Sequence, residues 1–327
     1  MRELHIGKND AGQRADKFLQ KALCNMPPAL LYKSIRTKKI KLNGARLSPN
    51  TVLTEGDVLR LFIKDEFFRD EKKDGNAAFT LGNINTRLSI LYEDQNILLL
   101  CKRQGVSVHE DETQTGDNLL VHLQAYLYEK GEYDPANELS FAPALCNRLD
   151  RNTGGIVIAA KNAEALRTMN EKIRAREIGK FYLCAVHGVP NPPAATLRAY
   201  LRKYEKENRV TVVERIPSNA PKGAYKEILT RYKTLAVKDG MSLLEVELLT
   251  GRTHQIRAHM AHIGHPLLGD GKYGKNREDR ARGYKHQALY AYRLTFSFSK
   301  EETPLSYLRG RTFTVPREDV YFTALFD

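Results

Sequence analysis

The feature that most constrains the fold is a polar segment enclosed by two short apolar runs, within residues 144–160. Runs of this length and composition are typical of buried β-strands. The polar residues between them, at 147–155, must turn the chain sharply, and Gly154 and Gly155 supply the backbone freedom that this turn requires. The segment therefore predicts two core strands joined by a compact polar loop.

A single carboxylate in this loop, Asp150, lies between Arg148 and Arg151. Nearby positive charge favours the charged form of a carboxylate, so we expect Asp150 to be ionised. On these residues alone, an ion pair that only fixes the turn is the simpler interpretation, because such pairs are common. The loop by itself therefore does not establish a function.

The chain has 327 residues and a formal net charge of +13. This length is sufficient for one large domain, or for a large domain and a small one, with a proper hydrophobic core. The basic excess favours a polyanionic partner, with RNA or DNA before a membrane surface. Charge alone does not identify the partner, since many basic proteins are merely well solvated.

The four cysteines, at positions 24, 101, 146 and 184, are scattered along the chain. Their spacing argues against a zinc site and against a disulfide framework. The first residues form no apolar signal segment, and no apolar run approaches the length that crosses a membrane. We therefore expect a cytoplasmic protein that does not insert into a membrane.

Residues 1–63 are expected to form a small α/β module of their own. Helical spacing at 13–23 is followed by a basic helix after Pro27, an alternating strand at 40–47 with an Asn43-Gly44 turn, and a strand at 58–63. This order of elements, with Ile-x-Leu-Asn-Gly at 40–44, resembles the S4 RNA-binding domain.

The second helix of this module begins a compact basic cluster. Its members are Lys33, Arg36, Lys38, Lys39 and Lys41. Such a cluster suits RNA phosphates, although a run of charge is commonly only a solvated face. The resemblance to the S4 domain favours contact with RNA.

Residues 64–85 have a charged centre and no sustained period, which is typical of a linker. The large domain is expected at 86–327, where strand and helix patterns alternate. A basic, alternating segment at 196–213 predicts an exposed hairpin. A Gly-Arg turn predicts the start of a helix at roughly 253–263.

Three motifs of the large domain resemble those of the RluA-type pseudouridine synthases. Arg-Leu-Asp-Arg-x-Thr-x-Gly at 148–155 matches the motif around their catalytic aspartate, with Asn147 in place of the usual His and Gly154 in place of Ser or Thr. Lys-x-Tyr at 180–182 matches the second motif. Gly-Arg-Thr-His-Gln-Ile-Arg-x-His at 251–259 matches the third, and Pro-Leu-Leu-Gly-Asp-x-Lys-Tyr-Gly follows it.

The resemblance implies isomerisation of uridine to pseudouridine in RNA, on an α+β fold with a mixed, mainly antiparallel sheet and a cleft that holds Asp150. The reaction breaks the bond between ribose C1′ and uracil N1, rotates the base and joins C5 to C1′. It involves no redox change and no departing group, so no cofactor or metal is required. An ionised carboxylate can attack C1′ as a nucleophile or act on C2′ as a base, and the sequence does not choose between these.

The same resemblance implies roles for four residues. Asp150 is the catalytic carboxylate, and Arg252 is the expected salt-bridge partner that keeps it charged and aimed. Tyr182 is expected to stack on the uracil. Arg148 is expected to occupy the space left by a target nucleotide that has been extruded from its helix.

Further basic side chains lie in and after the third motif. We expect Arg257 and Lys272 to contact RNA phosphates. Histidines at positions 254, 259, 262 and 265 lack the spacing of a zinc site and have no cysteine nearby. No metal site is therefore predicted.

Other functions are open at this point. One is a non-catalytic RNA-binding or ribosome-assembly factor on the same fold, although pure binding has no need for a carboxylate that faces RNA phosphates. Another is an enzyme that acts on transfer RNA, but the S4-like module favours large-subunit ribosomal RNA. A DNA-binding protein is disfavoured, because helix-turn-helix and zinc-finger patterns are missing. We expect a monomer with RNA as its partner.

Overall fold

The computed structural model describes residues 1–68, 81–84, 86, 88–109, 117–274 and 277–327. Most of the linker that the sequence predicts, namely residues 69–80 and 85, lies outside these ranges. The N-terminal part contains strands β1 (Arg2–His5), β2 (Ile40–Leu42), β3 (Ala45–Arg46) and β4 (Val58–Leu61), with helices α1 (Ala15–Ala22) and α2 (Pro28–Arg36).

The N-terminal strands form an antiparallel sheet in the order β1-β4-β2-β3. The connection of β2 to β3 consists of Asn43 and Gly44, which have φ angles of +48° and +79°. Two successive residues with positive φ match the twist of a tight hairpin, and Asn-Gly tolerates this conformation better than most pairs. The local sequence therefore determines the register of this hairpin.

A hydrophobic cluster holds the N-terminal elements together. Phe18 and Leu19 of α1, Ile35 of α2 and Leu59 of β4 are almost completely buried in it. Phe68 is buried in the same cluster, so the packing continues beyond the boundary expected at residue 63. This cluster is separate from the hydrophobic clusters of the large sheet.

The rest of the described chain contains the following elements. The strands are β5 (Ile90–Glu93), β6 (Ile97–Lys102), β7 (Ala144–Leu145), β8 (Gly154–Ala160), β9 (Ile178–His187), β10 (Ala194–Tyr204), β11 (Arg209–Val213), β12 (Tyr225–Lys238), β13 (Met241–Leu248), β14 (Leu289–Phe296) and β15 (Thr312–Thr314). The helices are α3 (Leu119–Glu129), α4 (Ala163–Arg174), α5 (Gln255–His262) and α6 (Arg277–Ala281). Within the described ranges, no helix is both long and apolar enough to cross a lipid bilayer.

The large sheet has the strand order β11-β10-β12-β13-β9-β14-β8-β6-β5, with β15 on β14 and β7 on β8. Among the described strands only β14 and β8 pair in parallel, and the other pairs of this sheet are antiparallel. The predicted α+β fold with a mixed, mainly antiparallel sheet is therefore confirmed. The predicted exposed hairpin is formed by β10 and β11.

The central strand β8 is buried along its whole length. Its side chains alternate between two hydrophobic clusters, with Ile156 and Ile158 in one and Val157 and Ala159 in the other. This alternation follows from the two-residue period of a strand, and burial on both faces explains why the run contains no polar residue. The strand thus anchors the polar loop that precedes it.

Strand register determines which residues meet at the end of β8. Gly155 of β8 pairs with Ala291 of β14, and Ala291 also pairs with Tyr182 of β9. The loop that carries Asp150 and the tyrosine of the second motif therefore lie beside the same residue of β14. Residues far apart in sequence are brought together by these two pairings.

The N-terminal part is hydrogen-bonded to the start of α4 and to the segment between α3 and β7. The Asn9 side chain donates to Glu138 Oε1 at 2.8 Å and accepts the Ala163 backbone N–H, at the start of α4, at 3.2 Å. Ser140 Oγ donates to Asp10 Oδ1 at 2.6 Å. Each of these bonds joins a specific donor to a specific acceptor, so together they define one docking geometry.

Candidate active site

A cleft of about 1040 Å³ lies where the loop before β8, the middle of β9 and the start of α5 meet. It is lined by the six site residues that the sequence predicts in the large domain: Arg148, Asp150, Tyr182, Arg252, Arg257 and Lys272. The five basic residues predicted in the N-terminal part lie outside this cleft, on α2 and in the segment that leads through β2. Four of those side chains are exposed, Lys41 is half-buried, and none of the five forms an ion pair within the described chain.

The loop that carries Asp150 is tightly closed. The Thr153 backbone N–H donates to the Asp150 carbonyl at 2.9 Å, and the chain then enters β8 through Gly155 at a φ of +118°. A Cβ at position 155 would lie 2.2 Å from the Ala291 carbonyl oxygen, which no real side chain tolerates. Gly155 therefore has two requirements that glycine alone meets, an unusual φ and a close approach to β14.

The Asp150 loop rests on Lys102, a residue that the sequence analysis missed. Lys102 is 1% exposed, and its ammonium donates to the carbonyl oxygens of Val106 at 2.8 Å, Arg151 at 2.9 Å and Arg103 at 3.1 Å. Burial lowers the pKa of Lys102 to about 8, and the charge of Asp150 opposes this effect. The only signal in the sequence is a lysine at the end of an otherwise apolar strand.

Arg257, not Arg252, is the salt-bridge partner of Asp150. The Arg257 Nη1 donates to Asp150 Oδ2 at 3.0 Å, while its Nε and Nη2 bind Asp270 at 2.7 and 3.0 Å. Arg252 lines the cleft but is exposed, and it forms no ion pair with Asp150 among the described residues. The prediction for Arg252 was therefore wrong, and Arg257 does not have the free phosphate-binding position expected for it.

The start of α5 explains this exchange of roles. The helix begins at Gln255, so Arg257 stands in its first turn, and helical side chains lean towards the N-terminal end, here the cleft. Arg252 precedes the helix on an exposed turn, where its backbone N–H donates to the Gln255 side chain at 3.1 Å. Both arginines belong to the third motif, but only Arg257 is on the helix.

Charge in this ion-pair chain is strongly stabilised. Burial alone would lower the pKa of Arg257, but the bonds to Asp270 and Asp150 outweigh burial and raise it. Burial alone would likewise raise the pKa of Asp270, yet the bond to Arg257 and two backbone N–H groups lower it. Arg257 and Asp270 are therefore charged at neutral pH, and Arg257 is fixed between two carboxylates.

His254 lies beside the catalytic candidate in a left-handed conformation, with a φ of +53°. Its Nε2 is 3.9 Å from Asp150 Oδ2, and its Nδ1 is 2.8 Å from the Tyr273 hydroxyl. Burial lowers the pKa of His254 to about 4, with the nearby cations acting in the same direction, and the attraction of Asp150 does not compensate. At neutral pH the imidazole is therefore uncharged.

The Tyr273 hydroxyl connects this imidazole to the hairpin. Its oxygen accepts the Val210 backbone N–H at 3.0 Å and is hydrogen-bonded to His254 Nδ1 at 2.8 Å. The Nε2 of the same ring faces Asp150. A row of contacts thus connects strand β11, through Tyr273 and His254, to Asp150.

Tyr182 forms part of the cleft from β9. It is 6% exposed, and burial together with the negative charge of Asp150 raises the pKa of its hydroxyl well above the usual range. The hydroxyl therefore remains protonated over the physiological range. Tyr182 also belongs to the main hydrophobic cluster, so it offers an apolar surface inside a largely polar cleft.

Lys272 connects the loop after α5 to the hairpin. Its ammonium donates to the Asn208 carbonyl, between β10 and β11, at 2.7 Å, and its backbone N–H donates to Asp270 Oδ1 at 2.9 Å. An ammonium has three donors, so this bond leaves capacity for contact with a phosphate. The observed contact nevertheless gives Lys272 a structural role that the sequence analysis did not foresee.

Asn147, which stands where the family motif has His, has a backbone partner. Its Oδ1 accepts the Ile158 N–H at 2.7 Å and so fixes the loop to β8. The histidines of the third motif have separate partners as well: His259 Nδ1 lies 2.9 Å from Thr230 Oγ1, and His265 Nδ1 lies 2.9 Å from the His187 carbonyl. In the part of the chain that the structure describes, no three His, Cys, Asp or Glu side chains are grouped as metal ligands would be.

The sheet, the cleft and a carboxylate paired with a buried arginine define the class of RNA-modifying synthases. Residues 96–262 match the family described as RNA pseudouridylate synthase. The chain belongs to this family and is an RNA pseudouridine synthase.

Individual relatives agree with this assignment over most of the chain. The "Ribosomal large subunit pseudouridine synthase C" of Buchnera aphidicola subsp. Acyrthosiphon pisum is 31% identical over 274 residues, which cover 84% of this chain and 81% of the relative. The protein of the same name from Haemophilus influenzae is 31% identical over 308 residues, covering 93% and 89%. The solved structure of "Human RNA Pseudouridylate Synthase Domain Containing 4" has a similar fold, with a TM-score of 0.56 at 21% identity over 78% of this chain and 97% of that one.

Proposed function

We propose that the chain isomerises specific uridines of large-subunit ribosomal RNA, with Asp150 as the catalytic carboxylate and without a cofactor. The observation that carries the proposal is the asymmetric environment of this carboxylate. Arg257 holds Oδ2 at 3.0 Å, whereas Oδ1 accepts no hydrogen bond from the described residues, and the side chain is 27% exposed in the cleft. One oxygen is therefore fixed while the other is available to a substrate.

The chemistry requires little more than this carboxylate. The bond from C1′ to N1 breaks, C5 bonds to C1′ in its place, and the proton lost from C5 is balanced by one gained at N1. Asp150 can attack C1′ and form a temporary ester, or it can remove a proton from C2′, and the geometry is compatible with both. Arg257 orients the carboxylate in either case.

The surrounding side chains fit a single extruded nucleoside. A cleft of about 1040 Å³ lies just above the range of typical ligand pockets, roughly 300–1,000 Å³, so it has room for a nucleoside. Tyr182 packs on the uracil as a neutral ring. Because the pKa of its hydroxyl is raised, Tyr182 is not ionised and does not act as a phenolate base. Arg148 is exposed at the cleft and takes the place that the flipped nucleotide leaves in its helix.

The N-terminal module is proposed to grip the RNA outside the cleft. Residues 1–63 are assigned as the S4-like domain, 64–85 as a linker and 86–327 as the catalytic domain. Four of the five basic side chains at 33–41 are exposed, and none of the five forms an ion pair within the described chain, so their charge is available to phosphates. Large-subunit ribosomal RNA is preferred over transfer RNA because the relatives carry that substrate in their names. We propose a cytoplasmic monomer.

Tritium release from ribosomal RNA that contains [5-³H]uridine tests the proposal. The reaction exchanges the C5 hydrogen, so the wild-type protein should release tritium, and Asp150→Asn, which keeps the shape but not the charge, should not. Release by Asp150→Asn at the wild-type rate would assign the chemistry to another group, and no release from either protein would indicate an RNA binder. Mapping pseudouridines in cells that lack the protein identifies the substrate; a loss confined to transfer RNA would contradict the ribosomal assignment.

A further inference from the structure

A second, smaller cavity lies in the N-terminal module, outside the catalytic cleft. Its volume is about 420 Å³. Its walls include Tyr32, Arg36, Arg46, Leu47, Ser48 and Pro49, which come from α2 and from the segment that begins in β3. We propose that this cavity binds one unstacked nucleotide of the RNA substrate, an inference that rests on the proposed function in RNA.

The aromatic wall of the cavity is held rigidly. Tyr32 is 41% exposed, yet its hydroxyl donates to Asp16 Oδ2 at 3.0 Å. Asp16 itself is 1% exposed and is also bound by Arg14 at 2.8 and 3.1 Å. A ring that is anchored at its hydroxyl and open to solvent elsewhere loses little conformational entropy when a base stacks on it.

The charged walls suit a phosphate group. Arg36 and Arg46 are both exposed, and neither forms an ion pair with any described residue. A planar guanidinium binds phosphate oxygens with two parallel hydrogen bonds and also stacks on bases. Two unneutralised arginines at one cavity therefore favour an anionic, planar ligand over an apolar one.

The remaining walls suit the base and the sugar. Leu47 is 3% exposed and provides an apolar floor, and Pro49 adds a second flat, apolar surface. Ser48 Oγ makes no hydrogen bond within the described chain and can serve a base edge or a ribose 2′-hydroxyl as donor or acceptor. Phosphate, base and sugar thus each have a matching group in this cavity.

The ring makes an unstacked nucleotide a better fit than duplex RNA or an acidic peptide. Inside a duplex both faces of each base are already covered, so Tyr32 has no face to stack on. An acidic peptide would satisfy the arginines but not the anchored aromatic ring. Stacking of single-stranded bases on aromatic side chains is favourable and tolerant of sequence, so the site should hold a strand without selecting the target uridine.

The test is fluorescence anisotropy of the full chain with a uridine-free single strand and with a duplex of the same strand. Tyr32→Ala should weaken single-strand binding at least about fivefold, because one stacked base is lost, and should change duplex binding less than about twofold. Tyr32→Phe keeps the ring and should retain most of the affinity. Arg46→Glu, an exposed change that leaves folding intact, should weaken single-strand binding as well.

The matched control is Tyr307→Ala. Tyr307 is 43% exposed and its hydroxyl donates to Asp94 Oδ2 at 2.7 Å, but it lies outside this cavity. Equal single-strand affinities for Tyr32→Ala and Tyr307→Ala would overturn the proposal, as would unchanged binding by Arg46→Glu.

The two proposals fail in different ways. Tyr32 lies outside the catalytic cleft, so the loss of single-strand binding expected for Tyr32→Ala is measured by anisotropy and does not depend on the catalytic proposal. One informative outcome is that Tyr32→Ala binds the single strand as wild type does while Lys38→Gln/Lys39→Gln binds it more weakly. That result would contradict the nucleotide site and still support RNA binding by the N-terminal module. Loss of release in Asp150→Asn tests the catalytic proposal independently of either result.

Discussion

Arg257 and Asp270 form a bidentate ion pair, with Nε and Nη2 of the arginine 2.7 and 3.0 Å from the two carboxylate oxygens. Asp270 is 1% exposed, so this pair fixes the guanidinium plane inside the protein. The remaining Nη1 is thereby aimed at Asp150. The position of the Asp150 carboxylate, which we propose to be catalytic, thus depends on a second, buried aspartate.

Replacing Arg257 tests this arrangement. Arg257→Met should lower the rate of tritium release at least about 100-fold, as loss of a preorganised charged donor typically does. It should also lower the free energy of unfolding by about 3–5 kcal/mol, because Asp270 is left charged and buried. The double variant Arg257→Met/Asp270→Asn should regain much of the stability and none of the rate.

The control is Arg252→Met, whose free energy of unfolding should lie within about 0.5 kcal/mol of the wild-type value. Tritium release by Arg257→Met at the wild-type rate would refute the role of Arg257 in orienting Asp150.

Gly155→Ala should destabilise the fold severely. The new Cβ would lie 2.2 Å from the Ala291 carbonyl oxygen, at a φ of +118° that L-residues avoid. We expect a loss of at least about 3 kcal/mol in urea unfolding, or no folded protein. Gly223→Ala is the matched control, since Gly223 also has positive φ but a Cβ added there would meet nothing within 4 Å. Equal losses in both variants would show that close packing against β14 is unimportant.

Tyr273→Phe removes one hydroxyl that serves both His254 and Val210. We expect kcat to fall about tenfold or more with little change in KM, since misorientation of a group beside the reacting carboxylate is costly. Tyr232→Phe is the control, because its hydroxyl is also bonded, but to the Pro192 carbonyl at 2.7 Å and not to His254. A kcat equal to that of the control would exclude a role for the row from β11 to Asp150.

The free energy of unfolding should decrease as the pH is lowered, because His259 is protonated more readily in the unfolded chain. Burial and the nearby His262 lower the pKa of His259 from 6.5 to about 4. Between these pH values the unfolded chain binds a proton that the folded protein does not, so acid favours unfolding. From pH 6.5 to 4 the wild type should lose on the order of 2 kcal/mol more than His259→Gln in urea unfolding. Parallel pH profiles for the two proteins would contradict this assignment.

Neutralising two lysines of the basic cluster should change the salt dependence of RNA binding. Lys38→Gln/Lys39→Gln should lower the slope of log K against log salt by about 1.4–1.8, as expected when two phosphate contacts are lost. The control Lys8→Gln/Lys17→Gln removes the same charge from exposed positions of the same module outside the cluster. Equal slopes for both double variants would mean that only net charge matters.

Local pattern was sufficient to predict much of this fold. The strand that became β8 was recognisable from an apolar run, and the β2–β3 turn from its Asn-Gly pair, because both signals are short-range. Strand β1 was missed, since Arg2–His5 is short and mostly polar and is defined only by pairing with β4. Pairing partners distant in sequence leave no local mark.

The sequence predicted which residues line the cleft better than it predicted the contacts between them. The motifs brought six residues to one cleft, but a predicted helix start near residue 253 did not show that Arg257, and not Arg252, reaches Asp150. Lys102 was overlooked because a lysine at a strand end normally reaches solvent, whereas here three carbonyl groups of neighbouring loops surround it. Such roles arise from tertiary contacts alone.

The link from the hairpin to the catalytic loop limits how this enzyme can be retargeted. Exchanging 194–213 for the corresponding arm of another synthase would change more than the outer surface. The Asn208 carbonyl and the Val210 amide are backbone groups held by Lys272 and Tyr273. A graft of different length would misplace both groups, so a chimera must keep the spacing of the arm even where it replaces every side chain.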